Sequence, residues 1–186
     1  GPATLYGMSS GSRSNMILAE RYLEQVAALV IASLTGGPVA AERLSEEYYL
    51  KYLNDTSLTS MTEVAKTPLW QAYMERNTPD LQEAFLNQNV DDFLAAMKRT
   101  GEHLESFRSK TTLGMTDEQL AALDVPATLI LHHGEERDFL HPIVHTRSAT
   151  TLLKNSSFAI TPTLAPVLDA LLPFVREYTP VMEAGQ

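Results

Sequence analysis

The chain contains no cysteine, which excludes disulfides, thiolate metal sites and a cysteine nucleophile. Basic residues are scarce beside acidic ones. Fourteen Lys and Arg stand against 23 Asp and Glu, a formal net charge of −9 that argues against nucleic acid as a partner. No apolar run is long enough to span a bilayer, so no membrane partner is expected. The chain opens Gly1-Pro2-Ala3, without the basic region of a secretory signal. Gly1-Pro2 reads as native sequence or as a remnant of tag removal on a fragment. A cytoplasmic location is the default expectation. Histidine is also rare: five occur, and none follows His145. There is no internal repeat or low-complexity tract. What is present, 186 residues with a 44% hydrophobic fraction, suffices for one domain with a real core.

The most informative segment is Leu5-Tyr6-Gly7-Met8-Ser9-Ser10-Gly11. An apolar, strand-like run ends in G-x-S-x-G and a helical pattern follows at once, the context of a nucleophile elbow. The chemistry needs a serine on a tight, strained turn, its hydroxyl above the strand ends. Glycine two residues to either side allows strand and helix to pack closely. The helix N-terminus then turns backbone N–H groups toward the reacting oxygen. The plainer reading of Ser9 to Ser14 is a Ser-rich turn at the chain start.

The rest of the chain gives that segment a setting. Residues 15–25 read as a helix and Val26-Ala27-Ala28-Leu29-Val30-Ile31-Ala32 as a strand buried on both faces of a parallel sheet. From Pro38 to about Asp124 only helices are legible. Pro38 starts one with a stripe of Ala41, Leu44, Tyr48 and Tyr52; a second, over 62–76, is interrupted at Pro68. Thr78-Pro79-Asp80 and Asn89 open two more, and Thr116 to Gln119 is a capping box. Sheet character returns in Ala127-Thr128-Leu129-Ile130-Leu131, followed by a loop, His132 to Asp138, rich in His and acid. A helix from Pro142 to about Lys154, a short strand at 157–160 and a helix from Leu164, bent near Pro173, complete the order. The predicted fold is α/β: a parallel sheet of about four strands with helices on both faces and an all-helical insert. Residues 1–37 and 125–186 form the core and 38–124 the insert. In such sheets sites gather beyond the carboxyl ends of the strands, where Ser9 and Asp138 both lie.

This order resembles the C-terminal portion of the α/β-hydrolase fold family, from its nucleophile strand to its last helix. The resemblance rests on Gly7 to Gly11, on the helical cap after the next strand, and on Gly134-Glu135-Glu136-Arg137-Asp138 with His141-Pro142 after the strand that follows. It implies Ser9 as nucleophile, Asp138 as catalytic acid and the Ser10 backbone N–H as an oxyanion donor. Glu135 and Glu136 are equal contenders for the acid. Two departures stand out. The family's histidine usually follows the last strand, where this chain reads Ile160-Thr161-Pro162-Thr163-Leu164-Ala165-Pro166. The family's first four strands, with a second oxyanion donor, have no counterpart here.

The base is therefore the open role. His132, His133, His141 and His145 cluster around the acidic loop. His141, three residues after Asp138 and beside the helix-opening Pro142, is the candidate, and its plainer reading is a loop or helix-cap residue. His132-His133 with Glu135 or Asp138 is the one metal-like grouping. Adjacent residues on a strand point to opposite faces, so neither metal nor cofactor is expected. His103 reads as a surface residue of the insert. Trp70, Tyr73, Met74, Phe85, Phe93 and Met97 read either as the lining of an acyl pocket or, more simply, as helix-to-helix packing.

The resemblance implies a serine hydrolase acting on a small-molecule carboxylic ester. Ser9 disfavours haloalkane cleavage, which needs an acid at that position; peroxidase-type chemistry stays open. The alternative is a half-fold, catalytically incomplete alone, whose bare sheet edge pairs with a second copy or with a separate N-terminal fragment. A helical interaction module is a third reading without specific support.

Overall fold

A computed structural model describes residues 1–133, 138–161 and 165–178, without the side chains of His133, Thr161 and residues 165–170. The alternative acids Glu135 and Glu136, and residues 162–164 after the last strand, lie outside the described residues.

Among the described residues four strands form one parallel sheet in the order β1 (Ala3–Met8), β2 (Val26–Ala32), β3 (Thr128–His133) and β4 (Ser156–Thr161). Parallel neighbours require crossovers. The first is α1 (Ser10–Arg21), followed by a short 3₁₀ turn at Leu23–Gln25, and the last is α8 (Ile143–Leu152). Between β2 and β3 the chain forms α2 (Gly37–Tyr48), a 3₁₀ turn at Leu50–Tyr52, α3 (Met61–Ala65), α4 (Pro68–Arg76), α5 (Pro79–Leu86), α6 (Val90–Glu105) and α7 (Asp117–Ala122). A final helix, α9 (Ala165–Tyr178), follows β4 and contains Pro173.

Helices cover both faces of the sheet, and the pleat sorts the side chains between them. Leu29 and Ile31 of β2 and Ile130 of β3 pack on one face with Met16 and Ala19 of α1, Leu120 of α7 and Ala149 of α8. Their neighbours Val30, Ala32, Leu129 and Leu131 pack on the other with Leu171 and Phe174 of α9. The continuous apolar run of β2 is thus the mark of a strand covered on both sides. Pro68 separates α3 from α4, having no N–H for an i−4 carbonyl; it sits in the first turn of the second. The capping box at α7 is complete, Thr116 Oγ1 accepting from Gln119 N and Gln119 Oε1 from Thr116 N. The first helix starts five residues earlier than the residue 15–25 pattern suggests, because Ser10 to Ser14 take helical geometry despite their low propensity.

The chain divides into two compact units. One comprises Gly1–Ala41 and Phe107–Gln186, the other Glu42–Ser106. The smaller unit is all-helical and has its own core of Tyr52, Leu58, Met61, Val64, Phe85 and Met97. Around it Trp70 stacks on Phe85 at 5.1 Å and meets Phe93 edge-on at 5.2 Å, and Tyr73 lies 5.3 Å from Phe85. These aromatic residues pack against one another within the unit. Among the described residues no helix is long and apolar enough to cross a membrane.

Candidate active site

The site forms at the carboxyl ends of β1, β2 and β3. Ser9 links β1 to α1 and lies at φ 54°, ψ −116°, a region that costs a non-glycine residue roughly 1–3 kcal/mol. Three contacts hold it there. Ser9 N donates to Ala32 O at 3.0 Å, extending the ladder by one residue. Ser12, fully buried, donates its hydroxyl to Gly7 O at 2.7 Å and Ala32 O at 2.9 Å, pinning the first turn of α1 to both strands. Gly7 admits the helix: a Cβ there would lie 2.5 Å from the backbone C and O of Gly11 and 2.7 Å from Ser12 N. Gly11 differs from the expectation of two required glycines. A Cβ on it meets nothing within 4 Å, so only the first glycine of the motif is required by packing. Ser10 opens α1, so its N–H has no acceptor within the helix and faces the site end.

The structure brings Ser9, His141 and Asp138 together. His141 Nε2 lies 2.9 Å from Ser9 Oγ, and His141 Nδ1 lies 2.7 Å from Asp138 Oδ2. Both side chains are mostly enclosed, at 16% and 29% exposure. The dyad is built locally. Asp138 Oδ1 accepts from Leu140 N at 3.0 Å and from His141 N at 3.1 Å, wrapping residues 138–141 around the carboxylate. Pro142 then caps α8, and its carbonyl accepts from His145 N. Burial pushes the Asp138 carboxyl upward, but the hydrogen bond and charge of His141 and the two backbone N–H donors outweigh it. The group stays below the ordinary carboxylate range.

Of the other described histidine side chains, none is in this chain of contacts. His132 is buried, its Nδ1 3.5 Å from Thr146 Oγ1 of α8. His145 packs over Gly37, where a Cβ would sit 2.1 Å from its Nε2; burial lowers its pKa and Asp117 partly offsets this. His103 is exposed on α6.

Sequence reasoning missed one side chain at the site. Thr35, in the loop after β2, is 2% exposed, with its Oγ1 3.3 Å from Ser9 Oγ. The available signal was its place just past the carboxyl end of the strand beside β1. A cleft of about 170 Å³ opens beside Asp138, lined by Pro38, Val39, Phe139, Pro142 and His145 among others.

No sequence family and no curated protein matches the chain. Solved structures match in fold. MGS-M2, an α/β hydrolase from a Medee basin deep-sea metagenome library, is 17% identical with a TM-score of 0.54, over 97% of this chain and 66% of that one. A thermophilic esterase from Thermogutta terrifontis is 18% identical, TM-score 0.51, with the same coverage. A variant of the meta-cleavage product hydrolase from Pseudomonas fluorescens IP01 is 17% identical, TM-score 0.54, over 95% of this chain and 64% of that one. The chain spans about two thirds of the length of these structures.

Proposed function

We propose, from the α/β-hydrolase fold that this chain carries over nearly its whole length, that it is a serine hydrolase cleaving a small carboxylic ester. The observation that carries the reading is the unbroken run from Ser9 Oγ to His141 Nε2 and from His141 Nδ1 to Asp138 Oδ2, at 2.9 and 2.7 Å. Hydroxyl, imidazole and carboxylate in that order form a nucleophile, its base and the group that orients the base. Ser9 Oγ attacks the ester carbonyl as its proton passes to His141 Nε2. Asp138 holds the Nδ1–H and stabilises the imidazolium that forms. The Ser10 N–H, at the positive end of α1, donates to the developing oxyanion. Collapse breaks the bond to the alcohol, which leaves with the proton from His141. Water, deprotonated by the same imidazole, then releases the acid and restores Ser9. The apolar cleft beside Asp138 supports a substrate with a group of a few carbon atoms.

The test is intact mass after incubation with a fluorophosphonate. A single stoichiometric adduct is expected on the parent and none on Ser9→Ala. No adduct at high reagent overturns the reading.

A second reading keeps the fold and makes the site work only on assembly. Among the described residues β1 pairs on one side alone, and Tyr6 and Met8 are 45% and 44% exposed. A second copy joined edge to edge would cover that strand and bring further donors to the oxyanion. A monomer by sedimentation that still takes the adduct sinks this alternative.

A further inference from the structure

We propose that Thr35 is a further catalytic residue, its hydroxyl donating to Ser9 Oγ so that the proton of Ser9 is directed to His141 and the emerging negative charge on Oγ is stabilised. The inference rests on the serine-hydrolase reading of the same site. Among the described residues Ser9 Oγ has two neighbours within hydrogen-bond reach, His141 Nε2 at 2.9 Å and Thr35 Oγ1 at 3.3 Å. A hydroxyl has one proton to give. If Ser9 gives it to Thr35, the base receives nothing and attack cannot begin. In the productive arrangement Ser9 donates to His141, which leaves Thr35 as the donor to Ser9. The contact is long for a neutral O–H···O bond and shortens as Oγ gains charge. It is therefore stronger in the transition state than in the resting enzyme, the condition for a catalytic contribution. No proton leaves Thr35: the one transferred is that of Ser9, and it ends on His141.

The surroundings fix this hydroxyl in place. Thr35 is 2% exposed, so water does not compete for it. Its carbonyl accepts from Leu113 N and Thr112 Oγ1, both at 3.1 Å. The next residue, Gly36, lies so close to the same segment that a Cβ would stand 2.0 Å from Thr111 O. The loop after β2 is thus clamped on residues 111–113, and the Thr35 side chain is aimed by a backbone with little room to move.

The test compares the second-order rate of fluorophosphonate labelling in the parent, Thr35→Val, Thr35→Ala and Thr35→Ser, each with its thermal midpoint. Loss of one donor from a reacting oxygen costs up to 10²–10³-fold; for a contact this long we expect a fall of about tenfold in the Val and Ala variants. Thr35→Ser keeps the hydroxyl and should label within about threefold of the parent, whatever its midpoint. Labelling of Thr35→Val at the parent rate or faster overturns the proposal, as does a Ser variant as slow as Val or Ala. An unlabelled parent instead removes the serine-hydrolase reading, and the Thr35 role with it. If Thr35→Val does not fold, Thr35→Ala against Thr35→Ser decides the matter.

Discussion

Asp138 does two jobs with two oxygens. Oδ1 takes the backbone N–H groups of Leu140 and His141, and Oδ2 takes the His141 ring. The first shapes the turn that carries the histidine, and the second sets its tautomer. Asparagine separates them. Its carbonyl oxygen can still cap the turn, but its amide nitrogen, turned toward Nδ1, donates where an acceptor is needed and favours the tautomer that cannot take the Ser9 proton. We expect Asp138→Asn to keep the thermal midpoint within a few degrees and to slow fluorophosphonate labelling by on the order of 10²–10⁴-fold. A variant that labels at the parent rate would show that the carboxylate only shapes the loop. The arrangement also explains why the place of His141 beside Ser9 was hard to read in sequence. A histidine three residues after an acid is as readily a helix-cap residue. What selects it is the turn around Oδ1, a conformation that residue types alone do not reveal. His132 and His145 are of the same type and nearly as close in the chain. One is buried under α8 and the other faces Gly37, because a strand and a helix aim their side chains by different periods.

At the scale of the element, the elbow was the most legible part of the chain, but its motif overstates its requirements. Gly7-x-Ser9-x-Gly11 reads symmetrically, whereas packing constrains only Gly7. A methyl at Gly7 would press into the backbone of α1, which cannot yield without lifting the helix from β1 and β2. A methyl at Gly11 enters open space, and alanine is the better helix former. Gly7→Ala should therefore cost about 3 kcal/mol or more, in the range of severe backbone misfits. Gly11→Ala should be neutral or stabilising by up to ~1 kcal/mol. Urea denaturation of both variants checks the contrast, and equal losses would refute it. The capping box at Thr116, the break at Pro68 and the double-sided burial of β2 were legible because each depends on a few neighbouring residues. Thr35 and Ser12 were not. Each is one hydroxyl among many, and each acts through partners 26 and 20 residues away that only the folded sheet brings near.

At the scale of the molecule, the apolar packing of the described residues falls in two units: a cluster on each face of the sheet in one, and a helical core in the other. The sheet core draws on β2, β3 and the helices around them, including Leu120 of α7 and Met115 just before it. The helical core lies wholly within Glu42–Ser106 and centres on Phe85, which is 4% exposed and ringed by Trp70, Tyr73 and Phe93. The division falls at Glu42 and Ser106, inside the residue 38–124 span legible as helical. Periodicity identifies a helix but not which core receives its apolar face. Ser9, Thr35, Asp138 and His141 all belong to the sheet unit. Truncating Phe85 should accordingly loosen one unit and spare the other. We expect Phe85→Ala to destabilise the helical unit by about 3–5 kcal/mol, the usual cost of an aromatic-sized cavity. In native-state hydrogen exchange read by mass spectrometry, peptides from 42–106 should lose protection while those of β2 and β3 keep theirs. Fluorophosphonate labelling of Ser9 should continue at an unchanged rate, because no residue that polarises it lies in the disturbed unit. Uniform loss of protection across both units, or an adduct that disappears with Phe85, would mean that the two units fold as one and that the triad depends on both.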